Sequence, residues 1–120
     1  MAFLRLHVLG LSLAGSVFIA PHAMADTRAA ADLYQVRCSH CHGSTGQGTR
    51  QMVPPLGPAL KGNPFVVNGS IAALSSVIRK GRTGQRRLYD DTYGNMIGFG
   101  AESVPAVDEL SAYLKNELQK

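Results

Sequence analysis

The sequence predicts an all-α domain in which three main helices are joined by two irregular loops. Apolar residues recur at helical spacing in three separate stretches of the 120-residue chain. Between the stretches lie two segments dense in glycine, the first of them rich in proline as well, which neither a long helix nor a paired strand accommodates. The first helix also runs straight into a tight Cys-Ser-His-Cys-His cluster that holds both cysteines of the chain. No internal repeat or domain linker divides the sequence.

The chain opens on what reads as a secretory leader. Arg5 supplies a short positive region, Leu9 to Ala20 is apolar or small apart from Ser12 and Ser16, and Ala23-Met24-Ala25 gives a small-x-small cleavage pattern. The apolar run is too short for a membrane anchor and ends at Pro21-His22. The expected division is therefore a signal peptide over residues 1–25 and one domain over 26–120, exported to the periplasm with no transmembrane anchor after cleavage. Loss of Arg5 leaves eleven Lys and Arg against eight Asp and Glu, a net charge of +3. So modest a balance gives no case for nucleic-acid binding.

The first helix is expected from an Asp26 or Thr27 cap to Arg37, with Ala30, Tyr34 and Cys38 along one side. It delivers the pattern C-x-x-C-H at Cys38, Cys41 and His42, which is that of covalent haem attachment. Positions i and i+3 of a helical turn share one side, so both sulfurs can reach the two vinyl groups along one edge of a porphyrin. His42 then falls beneath the ring as proximal ligand. Half a zinc site would need ligands that the chain does not offer, a thioredoxin-type pair would need a βαβ context, and a plain disulfide is the remaining alternative. A macrocycle held in mid-chain also supplies apolar core to a 95-residue domain that is marginal without help.

From Gly43 to Gly69 six glycines alternate with Pro54, Pro55, Pro58 and Pro64, a loop long enough to wrap the proximal side of the haem. Pro58 or Pro55 is placed to offer a carbonyl to the free ring nitrogen of His42; equally, these prolines only stiffen the loop. The second helix is expected over Ile71 to Lys80, capped by Ser70 and Gly81, with Ile71, Leu74, Val77 and Ile78 as its apolar stripe. Five cations follow between Arg79 and Arg87, forming a solvated face or else serving docking or propionate contact. Tyr89 to Ala101 is the second irregular stretch, with Gly94, Gly98 and Gly100 around Met96 and Phe99. The last helix is expected from a Ser103 cap through Pro105, presenting Val107, Leu110, Tyr113, Leu114 and Leu118.

With the attachment motif early, a Gly/Pro loop behind it and a late methionine before a terminal helix, the mature chain resembles a class I cytochrome c. Cys38-Ser39-His40-Cys41-His42-Gly43 matches the family's haem box, and Gly57 to Gly62 is similar to its proximal proline segment. The resemblance implies the cytochrome c fold around one covalent haem c, Met96 as the distal iron ligand, and Tyr113 packed near the first helix, where Tyr34 lies. Met52, the other methionine left after leader removal, lies only ten residues past His42, in the loop expected on the proximal side. His40 is confined to the attachment turn, and Lys61 and Lys80 are residual alternatives. Three departures stand out: Ala30 where the family often has glycine, Ile97 in place of the proline common after the methionine, and no tryptophan.

Electron transfer is the function that the resemblance implies. No general-base constellation is visible, since both histidines of the mature chain sit in the haem motif and no spare cysteine can act as nucleophile. An enzyme is therefore not expected. Pro54-Pro55-Leu56, Gly62-Asn63-Pro64 and Val77 to Arg82 are most similar to small cytochromes serving periplasmic dehydrogenases. That implies a dehydrogenase as donor and a terminal oxidase or another cytochrome as acceptor. Two alternatives stay open: a fixed electron-transfer subunit of a dehydrogenase or oxidase complex, and a gas sensor or peroxidase-like protein with a labile sixth ligand.

Overall fold

Helix α1 runs from His22 to Arg37 in the computed structural model, which describes residues 22–89 and 92–120, with side chains from Asp26 onward. The leader residues before His22 lie outside the described residues. α1 starts four residues ahead of the expected Asp26 cap because His22-Ala-Met-Ala25 contains good helix formers and carries the helix across that position. Ala30 and Tyr34 are buried along its inner face.

A four-residue helix, α2 (Ser39–His42), follows after Cys38. Then comes the long Gly/Pro loop, which contains one element that the sequence reading did not isolate, α3 (Pro64–Asn68). The Asn63 side chain caps it by accepting from the Phe65 amide at 2.9 Å, and Pro64 occupies the first turn, where its missing N–H costs nothing. α4 (Ile71–Lys80) has the expected bounds. Ser70 Oγ accepts from the Ala73 amide at 3.1 Å, and Gly81 ends the helix at φ +67°. A single 3-10 turn spans Gly84–Arg86.

The terminal helix α5 (Val107–Asn116) begins three residues later than a Ser103 cap suggests, with Pro105 left outside it. The Ser103 and Val104 amides turn back to the Gly100 carbonyl (3.1 and 3.0 Å), and this turn sends Val104 to 0 % exposure in the core. Burial of that valine outweighs the local cap signal.

α5 is the central strut and packs against both α1 and α4. Tyr34, Val66, Leu74, Ile78, Val104, Leu110, Leu114 and Leu118 form one apolar cluster. Two buried serines sit at the α4–α5 contact. Ser75 donates to the Asp108 carboxylate (2.5 Å), and Ser111 donates to the Val107 carbonyl one turn back (2.8 Å), so neither hydroxyl is left unsatisfied. Lys115 reaches from α5 to the Val67 and Gly69 carbonyls (2.6 and 2.8 Å) and neutralises the open C-terminal end of α3. The described residues contain no β-strand; an isolated antiparallel bridge joins Arg82 and Met96. No described helix is long and apolar enough to cross a membrane.

Candidate functional site

The end of α1 and α2 together make the turn that the motif requires. The Cys38 amide bonds to the Tyr34 carbonyl (2.8 Å), the His42 amide to the Cys38 carbonyl (2.9 Å) and the Gly43 amide to the Ser39 carbonyl (2.8 Å). Cys38 and Cys41 thus stand one helical turn apart. Both are free thiols, Cys38 partly buried and Cys41 exposed, so the disulfide alternative does not hold in this structure. Tyr34 closes the turn from below by donating to the Gly43 carbonyl at 2.5 Å.

His42 is buried, with its Nδ1 2.8 Å from the Pro58 carbonyl. A carbonyl only accepts, so Nδ1 carries the proton and Nε2 keeps its lone pair. Of the two prolines considered, Pro58 supplies the contact, and Gly57 permits it. A Cβ at Gly57 would lie 2.6 Å from the Cys41 carbonyl oxygen and 3.1 Å from His42 Nδ1, so any larger residue would push the loop off the histidine. Burial lowers the His42 pKa below its ordinary 6.5, against an opposing pull from the Pro58 carbonyl, which keeps the imidazole neutral at neutral pH. Burial, with the neighbouring Cys41, pushes the Cys38 thiol up to about 11.

A residue that the sequence reading missed holds this loop in place. The buried Thr49 hydroxyl lies 2.9 Å from the Cys41 carbonyl and accepts from the Leu56 and Gly57 amides, both at 3.0 Å. Its partners lie seven or eight residues away on either side, and no local sequence pattern marks such a hub.

Cys38, His42 and Met96 line one cleft of about 850 Å³, part of it open to solvent; Cys41 is not part of the wall. The rest is largely apolar and includes Leu60, Leu74, Ile78 and Leu114 from the loop, α4 and α5. Met52 is 43 % exposed and does not line the cleft, nor do His40, Lys61 and Lys80.

The cationic run divides. Arg82 and Arg87 line the cleft, the Arg82 guanidinium 4.8 Å from the Phe65 ring centroid and Arg87 bonded to the Tyr93 carbonyl at 3.3 Å. Arg79 bonds to the Phe99 carbonyl at 3.2 Å, whereas Lys80 and Arg86 are exposed. A turn at Gly81 to Arg86 thus separates a sequence-continuous run into cleft wall and outer surface. Tyr34 and Tyr113 meet with ring centroids 5.9 Å apart, as the resemblance implied.

The family model for cytochrome c matches residues 28–117, three-quarters of the chain. The chain belongs to the cytochrome c family. Searches of curated proteins and of solved structures gave no match. Cytochrome c membership together with the Cys38–Cys41 pair implies a covalently bound haem c, and the residues present fit that group. Two thiols stand one turn apart, a buried histidine has a fixed tautomer, and a largely apolar cleft is lined by Cys38 and that histidine. Bound haem supplies an iron that takes up and returns one electron. Cytochromes c are generally electron carriers rather than enzymes, and their partners are redox proteins.

Proposed function

We propose that this cytochrome is a monohaem, one-electron carrier whose iron is held by His42 and Met96. The attachment would run through Cys38 and Cys41. The supporting observation is that His42 and Met96 line the same cleft while Met52, His40, Lys61 and Lys80 do not. In the protein, His42 Nε2 offers a lone pair because Nδ1–H is committed to Pro58. A thioether in the sixth position favours ferrous iron relative to a second imidazole, which suits delivery to an oxidising acceptor. Two protein ligands also leave no open position for substrate, which sets aside the sensor and peroxidase-like readings.

The leader pattern supports export and cleavage after Ala25, giving a periplasmic domain of residues 26–120. Its resemblance to small dehydrogenase-associated cytochromes supports a periplasmic dehydrogenase as donor and an oxidase or second cytochrome as acceptor. Ligation is tested by the weak near-infrared band of ferric haem with methionine bound, in wild type, Met52→Leu and Met96→Leu. The band is expected in wild type and Met52→Leu and lost in Met96→Leu. Its survival in Met96→Leu removes Met96 from the iron.

A further inference from the structure

The segment that carries Met96 is laid against the C-terminal turn of α4 chiefly by backbone contacts, with one side-chain bond from Arg79 to the Phe99 carbonyl. The Arg82 amide donates to the Met96 carbonyl (2.8 Å) and the Met96 amide to the Arg82 carbonyl (3.0 Å). Three residues on, the Phe99 amide donates to the Ile78 carbonyl at 2.9 Å, one of the helix-end carbonyls that α4 cannot satisfy internally. At the crossing the two backbones touch through glycines. A Cβ on Gly81 would collide with the Met96 carbonyl oxygen and lie 2.6 Å from the Gly98 amide nitrogen. A Cβ on Gly98 would collide with the Arg79 carbonyl oxygen and lie 2.9 Å from the Lys80 carbonyl carbon. Ile97, between the two contacts, is 66 % exposed and supplies no comparable packing.

We propose that Gly81 and Gly98 are positioning residues that set how far Met96 reaches into the cleft. They take over the restraint that a proline after the methionine would give. The inference rests on the reading of Met96 as iron ligand. Carbon atoms normally stay about 3.5–4 Å apart, so one added methyl must move the segment by roughly an ångström. A functional constellation holds only within about 0.5 Å of its working geometry. The displacement is therefore of the size that weakens or breaks an iron–sulfur bond while leaving α4 and the core in place. Gly100 makes the control, because a Cβ there meets nothing within 4 Å.

The test uses ferric holoprotein in wild type, Gly98→Ala, Gly100→Ala and Met96→Leu, with covalent haem and far-UV circular dichroism as checks on the fold. Gly98 is the better target, because Gly81 also needs its positive φ. Two quantities are read: the near-infrared methionine band, and the imidazole concentration that half-displaces it. Gly98→Ala is expected to lose the band or to need at least tenfold less imidazole, with Gly100→Ala at the wild-type value. Wild-type behaviour in Gly98→Ala overturns the proposal, as does equal sensitivity in Gly100→Ala. A band absent from wild type or retained in Met96→Leu overturns the ligand reading itself, and this inference with it.

If Gly98→Ala yields no folded holoprotein, amide hydrogen exchange in Met96→Leu decides by reciprocity, since each contact must support the other. Exchange at the Arg82 and Phe99 amides is expected to quicken at least tenfold over wild type. Unchanged protection there overturns the coupling.

Discussion

Replacing Tyr34 by phenylalanine isolates the bond that ties α1 to the end of the attachment turn. Tyr34 is 0 % exposed and donates to the Gly43 carbonyl at 2.5 Å, one residue beyond His42. Phenylalanine keeps the ring and its contact with Tyr113, so no cavity opens and only the hydroxyl is lost. A net neutral hydrogen bond contributes about 1 kcal/mol. An orphaned buried carbonyl would cost about 1–3 kcal/mol, but the Gly43 oxygen also accepts from the Gly46 amide at 3.1 Å and keeps a partner. The expected loss is therefore about 1 kcal/mol, roughly 4–8 °C in Tm for a domain of this size.

The pH dependence gives a second handle on the same residue. Burial raises the Tyr34 pKa well above its ordinary 10, with Cys38 and Tyr113 adding to the effect and a Gly46 backbone hydrogen bond opposing it. A folded pKa above the unfolded one means that the neutral phenol is favoured in the fold. Its contribution is complete below about pH 10 and is lost as pH rises from there toward the folded value. Wild type should thus lose its advantage over Tyr34→Phe progressively above about pH 10. Thermal melts of both holoproteins at pH 7 and pH 10.5 measure this. An unchanged Tm at neutral pH, or a gap that widens in alkali, refutes the reasoning.

Two further outcomes follow from the cleft and its rim. Cys38→Ala with Cys41→Ala should abolish covalent haem and with it the cooperative melt, because the apolar cleft walled by Leu74, Ile78 and Leu114 would lose the group that fills it in so small a domain. A haem-free double variant that melts cooperatively by calorimetry counts against this. Reversing the exposed Lys80 and Arg86 to Glu should slow electron transfer to an acidic partner at low salt, with the difference vanishing when ionic strength approaches about 1 M. An unchanged rate and salt dependence would make these cations a merely solvated face.

How much of this was legible in the sequence depended on how local each cause is. α4 was readable end to end because Ser70, Gly81 and the stripe between them act within a few residues of one another. α3 carried a usable signal in Asn63-Pro64, a capping residue followed by a first-turn proline, but the surrounding glycines and prolines outweighed it. The start of α5 was misplaced because the burial of Val104, a tertiary effect, overrides the local Ser103 pattern. At the candidate site, the Cys38–Cys41 pair and the adjacent His42 are marked by spacing alone. The choice of Pro58 over Pro55 and the hub at Thr49 required the path of the loop. The division of the arginines between cleft and surface required the turn after α4.

In the irregular segments, single bonds serve a helix end and a loop together. A helix end leaves four carbonyls without internal partners, and a loop leaves amides in need of acceptors. In this chain the same bonds answer both needs. Phe99 caps Ile78 at the end of α4 while fixing the segment of Met96, and Lys115 closes α3 while tying it to α5. The His42 side follows the same logic, since the Gly48 amide returns to the His42 carbonyl at 2.7 Å while Pro58 holds the ring. Loosening either loop therefore exposes a helix terminus or a buried backbone group as well. On the proposed ligation, that cost opposes loss of either axial group, as an electron carrier requires of its two oxidation states.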